Sequence, residues 1–320
     1  MLAYQNSAST ACAIGLDIGG TKIAGGIVDA VTGTVLLRQT IPTLPKRGGD
    51  AVLADALVLA ESLLLTAKAM QREVAGIGLA VCELVDPHGN VTSANSFDWR
   101  DMPVQAIFSK LAPTVVESDV RAPALAEAIF GAGRAFKLFA YVTVGTGISS
   151  CFVQDGKPFA GARGNAITLA SMPLTTVCTI CGTVLNPILE EFAGGPALVR
   201  RYNEASGQSI SRAESVLAAV AQGDPIAIEI VRSAGEALGN SVGFLCNILD
   251  PQAVIVGGGL GLAGGLYWSS FVAATRVHIY ADDSRHLPIL SAALGVDVGV
   301  IGAATQVFTR VGTVNPARGD

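Results

Sequence analysis

The chain has 320 residues, half of them hydrophobic, with 37 glycines and only 15% charged residues, where an average soluble domain has roughly a quarter. That length predicts two domains, or one fold built from two halves, and excludes a small staple-dependent domain; the hydrophobic content excludes disorder. With 21 basic against 26 acidic residues, net −5 and no basic run, the clustered cations that nucleic acid requires are missing.

Residues 1–11 are small and polar and read as a frayed end. No Lys or Arg precedes Lys22, so the start lacks the basic region of a secretory signal, and a cytoplasmic chain is expected. Cys12-Ala-Ile-Gly-Leu-Asp-Ile-Gly-Gly-Thr-Lys-Ile-Ala-Gly-Gly-Ile-Val-Asp-Ala is a pair of β runs broken by glycine, followed by the turn Val31-Thr-Gly-Thr and a third strand from Val35. Residues 50–71, rich in Ala and Leu without Gly or Pro, suit a helix, and Gly76-Ile-Gly-Leu-Ala-Val returns to strand. This order predicts a mixed sheet covered by helices.

The opening pattern recurs at Phe139-Ala-Tyr-Val-Thr-Val-Gly-Thr-Gly-Ile-Ser-Ser-Cys-Phe-Val-Gln-Asp-Gly-Lys-Pro-Phe. Two such units in one chain predict an internally duplicated fold, with the two glycine turns facing each other across a cleft. After Asp224-Pro225 an amphipathic helix is expected over Ile226 to Ile248. It is followed by a strand from Pro251 that ends in Gly257-Gly258-Gly259, then by Ala292 and a closing helix. Ala253 to Thr275 carries no charge, but its six glycines and Tyr267-Trp-Ser-Ser argue against a membrane-spanning helix. The six cysteines (12, 82, 151, 178, 181, 246) read as reduced core thiols, with Cys178 and Cys181 set apart as a pair.

A Gly-Thr pair between tight strands offers unhindered N–H groups and a hydroxyl, which suit phosphate oxygens; the same glycines also serve simply to turn the chain sharply. Asp17, at the end of a buried strand, adds a carboxylate able to hold a hydrated Mg²⁺. Asp119 follows the apolar run Val115-Val-Glu-Ser, where a strand hands over to an Ala-rich helix. Taken alone, that place favours a helix cap; in a phosphoryl-transfer cleft it suits a base that takes the proton of an alcohol aimed at a γ-phosphate, so the surroundings decide.

Taken together, these segments resemble the ROK family of bacterial sugar kinases, within the actin/hexokinase/Hsp70-like ATPase superfamily. The likeness runs from about Ile14 to Val307. Its most specific pieces are Asp17-Ile-Gly-Gly-Thr-Lys22, Val144-Gly-Thr-Gly-Ile148 and Asn247-Ile-Leu-Asp-Pro-Gln-Ala-Val-Ile-Val-Gly-Gly-Gly-Leu260. The resemblance implies a duplicated ribonuclease-H-like α/β fold in two domains, 1–118 (with the closing helix packed on it) and 119–320, binding ATP with Mg²⁺ and a small-molecule sugar in a homodimer, with no nucleic acid or membrane partner. The family's DNA-reading regulators carry a helix-turn-helix ahead of the first phosphate motif, and the short lead here disfavours that branch. By resemblance Asp17, Gly19, Gly20, Thr21 and Lys22 line a first phosphate loop; Gly145, Thr146 and Gly147 line a second; and Gly257, Gly258 and Gly259 lie near the adenosine. Asp119 matches the catalytic base, Asn95 and Glu190 match sugar contacts, and Trp99, matching the aromatic residue after Asn95, is expected to pack in the core.

The chain departs from the family pattern in several places. The family writes Pro-Gly where this chain has Cys82-Glu83, and Asn-Asp where it has Ser118-Asp119. The family's Glu-x-Gly-His falls on Asn165-Ala-Ile-Thr168, so a carboxylate and a histidine leave the sugar site, with Asn165 and Thr168 as smaller neutral partners. That histidine is ordinarily a zinc ligand beside three cysteines. Only Cys178 and Cys181 stand in the corresponding loop, so structural zinc is expected to be absent. Val184, Leu185, Ile188 and Leu189 are expected to anchor that loop by burial instead. Two functions follow: an ATP-dependent kinase acting on a hydroxyl, O6 by resemblance, of a hexose or an amino, N-acyl or epimeric sugar, or a non-catalytic sugar-sensing descendant.

Overall fold

The computed structural model describes residues 10–177 and 182–313. Its strands are β1 (Ala11–Ile18), β2 (Lys22–Asp29), β3 (Val35–Pro42), β4 (Glu73–Val81), β5 (Thr114–Ser118), β6 (Leu138–Val144), β7 (Ile148–Gln154), β8 (Lys157–Pro158), β9 (Thr176–Val177), β10 (Val184–Leu185), β11 (Ala253–Gly257) and β12 (Ile289–Ser291). Its helices are α1 (Gly49–Ala69), α2 (Val104–Phe108), α3 (Arg121–Phe130), α4 (Leu189–Ala193), α5 (Gly195–Ser206), α6 (Ala213–Ala221), α7 (Pro225–Leu249), α8 (Gly265–His278) and α9 (Val298–Arg310). Two compact units form. One holds the described residues up to Arg134, residues 155–166 and those from Asp297 on; the other holds 135–154 and the described part of 167–296.

In the first unit the sheet order is β3-β2-β1-β4-β5, with β1 antiparallel to β2 and parallel to β4, and β4 parallel to β5. Strand alternation sorts β1 into two faces. Cys12, Ile14, Leu16 and Ile18 enter the core shared with Leu59 and Leu63 of α1, while Ala13 packs on the opposite face with Val300 and Phe308 of α9. A helix can approach that second face closely only because its positions are small. A Cβ at Gly15 would strike the Val300 carbonyl, and one at Gly78 of β4 would strike the Ala303 carbonyl. The last described helix thus seats on the first described strand.

Within the second unit β12-β11-β6-β7 repeats the order of four of those strands, with β6 antiparallel to β7 and parallel to β11, and β11 parallel to β12. The duplication expected from the two glycine turns is therefore a duplication of strand order and direction, giving the duplicated α/β architecture. Helix α7 begins as its sequence predicts: the Asp224 side chain accepts the Ile226 N–H at 2.8 Å and the Ala227 N–H at 3.1 Å, with Pro225 in the first turn. Its buried face joins Ala140, Val142, Val144, Val254 and Val256 in one core.

The loop after residue 182 is not anchored by burial along its length: Val184 and Leu185 are 57% and 44% exposed in a two-stranded ribbon with β9, and only Leu189 is fully buried. A ribbon this short has no second layer to bury its side chains. The uncharged stretch from Ala253 is split between β11 and α8, and among the described residues no helix is long and apolar enough to cross a membrane.

Candidate active site

In the first unit the carboxyl ends of β1, β4 and β5 lie side by side, since Ile18 pairs with Val81 and Val81 with Ser118. The Cys82 N–H donates to the Ile18 carbonyl at 3.2 Å and the Asp119 N–H to the Val81 carbonyl at 3.0 Å. The sheet thereby brings Asp17, Cys82 and Asp119 to one edge, where open α/β sheets place their ligands. Alternation turns Asp17 to the α9 face, and Gly299 leaves room for it, since a Cβ there would strike the carboxylate. Burial pushes the Asp17 carboxyl up to about 6, against the lowering pull of Lys22 and Arg38. The Cys82 thiol is pushed up to about 12, first by burial, then against a lowering hydrogen bond to Ser96, with the charges of Asp119, Glu83 and Asp17 raising it further. One thiol thus senses three carboxylates.

The turn between β1 and β2 is tight, with the Gly19 N–H donating to the Lys22 carbonyl at 3.0 Å. Buried Thr43 braces it from behind: its hydroxyl donates to the Gly19 carbonyl at 2.5 Å and its N–H to the Thr21 carbonyl at 3.1 Å. Gly20, Thr21 and Lys22 are exposed. Asp119 is half-buried, and the cap position of α3 belongs to Val120, which makes no side-chain cap bond. Ser118 is 6% exposed, and its hydroxyl accepts the Arg121 N–H at 3.3 Å.

Two further segments of this unit carry predicted sugar contacts. Asn95 is exposed, and its N–H donates to Glu83 at 2.8 Å. The neighbouring Ser96 lies beside Gly20, where a Cβ would stand 3.6 Å from the Ser96 hydroxyl oxygen. Trp99 is fully buried, donating from Nε1 to the Gly49 carbonyl at 2.9 Å and packing edge-on against Phe97, so it is a core residue. Exposed Asn165 follows Gly164, whose carbonyl accepts Arg121 at 2.6 Å. The same guanidinium, 5% exposed, donates to the Val85 carbonyl at 2.6 Å and to Glu117 at 2.7 Å.

In the second unit the β6–β7 turn closes with the Gly145 N–H on the Gly147 carbonyl at 2.9 Å. Glu190 braces this turn, accepting the Ile148 N–H at 2.8 Å, and the N–H of Gly195 at the start of α5 donates to the Gly145 carbonyl at 2.8 Å. Gly258, at a φ of 82°, lies against the Val144 backbone, and the Leu260 and Gly261 N–H groups both reach the Val144 carbonyl, at 3.0 and 3.1 Å. Gly145–Gly147 and Gly257–Gly259 are therefore neighbours in this unit. Exposed Thr168 follows Ile167, whose φ is 58°. A β-branched residue there is strained. It occupies the position of the family pattern's glycine, and its carbonyl accepts the Ser150 hydroxyl at 2.7 Å.

Cys178 and Cys181 lie outside the described residues; among those described, no cluster of three or more His, Cys, Asp or Glu forms a metal site. Three residues shaping the first unit's edge had no role assigned from sequence: Thr43, Glu83 and Arg121. For Glu83 the available signal was a charge inside the apolar run Ala80-Val-Cys-Glu-Leu-Val85.

The family model for the ROK family matches residues 13–310. A glucokinase of Streptomyces coelicolor is 29% identical over 311 residues, spanning 91% of this chain and 96% of that one. An N-acetylgalactosamine kinase of a Shewanella species is 30% identical over 307 residues, spanning 91% of this chain and 94% of that one. The crystal structure of a ROK family glucokinase from Streptomyces griseus, in complex with glucose and AMPPNP, superposes with a TM-score of 0.78 at 29% identity, covering 92% of this chain and 98% of that one. A family model matching residues 13–310, with relatives and a solved structure matched over more than nine-tenths of the chain, leads to one assignment: the protein belongs to the ROK family.

Proposed function

We propose that the protein is a sugar kinase that transfers the γ-phosphoryl group of ATP to O6 of a hexose or modified hexose. The observation that carries this reading is the gathering of Asp17, the 19–22 turn, Asn95 and Asp119 around one strand-end edge, in a chain that kinase relatives match over 91% of its length. Asp119 takes the proton of the attacking hydroxyl as its oxygen bonds to the γ-phosphorus and the bond to ADP breaks. Asn95, Ser118, Asn165, Thr168 and Glu190 hold the sugar. Gly19, Gly20, Thr21 and Lys22, with Gly145, Thr146 and Gly147, receive the phosphates, and Gly257, Gly258 and Gly259 border the adenosine.

Asp17 fits a Mg²⁺ ion, because it is a hard oxygen donor whose negative charge is disfavoured by burial and would be offset by a cation. When bound, that ion neutralises charge on the phosphates. The neutral pair Asn165 and Thr168, standing where the family pattern has Glu and His, favours an amino, N-acyl or epimeric sugar over glucose, since each lost charge-assisted hydrogen bond is worth about 1.5–3 kcal/mol.

ATP turnover across a panel of glucose, mannose and the 2-acetamido hexoses tests the reading, with Asp119→Ala as control. Turnover of at least one sugar, highest for a modified hexose and lost in the variant, is the expected result. Nucleotide binding without turnover of any sugar would favour a non-catalytic sensor.

A further inference from the structure

We propose that Glu83 is a positioning residue of the sugar site, whose buried carboxylate fixes the main chain of residues 93–97 and so aims Asn95. The proposal rests on the reading of Asn95 as a sugar contact.

Glu83 is 3% exposed, and burying a carboxylate is costly unless donors replace its water. Four donors do so. The Ser93 hydroxyl and the Asn95 N–H (2.8 Å) reach Oε2, while the Ser96 N–H (2.6 Å) and Phe97 N–H (3.1 Å) reach Oε1. Consecutive amides of a segment in neither helix nor strand have no ladder to join, so this carboxylate is what satisfies them. Ser93 extends the arrangement by accepting the Leu84 N–H at 2.8 Å. At its far end the segment is held by Trp99 on the Gly49 carbonyl. Between these ties Asn95 is exposed, with Ala94 and Asp98, and of the three it alone carries a side-chain amide.

The anchored segment belongs to the candidate edge. Ser96 lies beside Gly20 and bonds the Cys82 thiol, on which the charges of Asp17 and Asp119 also act. The family pattern has Pro-Gly at 82–83, a pair with no carboxylate to offer, so this chain orders the segment by a device of its own. Removing the carboxylate frees three amides together, and the loss should appear in sugar affinity rather than in nucleotide affinity.

The test uses the full chain with Glu83→Gln, which keeps shape and one acceptor, and Glu83→Gly, which restores the family residue. The expected result is a rise in the sugar KM of about tenfold or more in Glu83→Gly and a smaller rise in Glu83→Gln, with kcat and the ATP KM within about threefold of wild type. Added formate, sized to the vacated cradle, should lower the sugar KM of Glu83→Gly, while chloride at equal ionic strength should not. An unchanged sugar KM in the folded variants would overturn the proposal, as would parallel losses in kcat and both KM values without formate rescue. Should Glu83→Gly not fold, Glu83→Gln decides by the same KM split. If wild type phosphorylates no sugar, the kinase reading falls separately. Amide exchange then decides: faster exchange of the 95–97 amides in Glu83→Gln supports the hold by Glu83, and equal exchange refutes it.

Discussion

The two glycine turns sit at equivalent places in two sheets of identical strand order, yet they distribute charge in opposite ways. In the first unit the strand entering the turn carries the charge itself, at Asp17, and the brace behind the turn is the uncharged Thr43 hydroxyl. In the second unit the equivalent strand position is Thr143, and the charge lies in the brace, where Glu190 accepts the Ile148 N–H. A carboxylate in the lining can meet a cation; a carboxylate in the brace stiffens a neutral turn made of N–H groups and a hydroxyl. The first arrangement is suited to metal-bound phosphate, and the second to bare phosphate oxygens.

The largest effect expected within this comparison is on rate. Asp119→Asn should reduce kcat by about 10²–10⁴ in a coupled assay while nucleotide affinity, measured by calorimetry, stays near wild type. A variant retaining most of its kcat would remove the base from the first unit's edge. Next comes Gly258→Ala, which forces a side chain into a φ of 82° and into the Val144 backbone. A loss of roughly 3 kcal/mol or more, read by denaturant melting, is expected there.

Asp17→Asn should separate stability from activity. The folded-state pKa of Asp17 is raised, from 3.8 to about 6, so the native protein holds this proton more tightly than the unfolded chain does. Stability contributed by this group is therefore present at low pH and lost as pH rises through about 6. The asparagine variant should accordingly melt higher than wild type at pH 8, with the advantage fading toward pH 4, while Mg²⁺-ATP turnover drops by roughly tenfold or more. A lower melting temperature at pH 8 would mean that the carboxylate is compensated without any cation. Glu190→Ala should cost about 1–3 kcal/mol of stability and raise the ATP KM as the second turn loosens, with the sugar KM rising as well. A rise in the sugar KM alone would make the brace dispensable. Smallest of all, Gly20→Ala should leave the unfolding free energy, read by denaturant melting, within about 0.5 kcal/mol of wild type, since the new Cβ meets nothing nearer than Ser96, while weakening nucleotide binding.

Features encoded locally were legible before the structure. The period-2 alternation of β1, the glycine break after Asp17, its echo at Val144-Gly-Thr-Gly, and the Asp224-Pro225 start of α7 each carry their own signal within a few residues. Features encoded by distant partners were not. Arg121 donates to a carbonyl 43 residues away, and Glu83 gathers amides 12 to 14 residues on, with no spacing rule to announce either. Burial of Val184 and Leu185 was expected from their apolar character alone, but that property does not say whether a second layer is there to cover them. The positive φ of Ile167 was hidden for a related reason, since the residue type argues against the conformation its surroundings impose.

The seat of α9 on β1 and β4, made possible by Gly15 and Gly78, has a consequence for how the polypeptide matures. During synthesis the ribosome delivers β1 first and α9 nearly 290 residues later, so one face of the opening sheet stays uncovered while the segments that build the second unit's core emerge. Folding thus finishes where translation began, and a nascent chain stalled before Val298 would expose an apolar sheet face to chaperones and proteases.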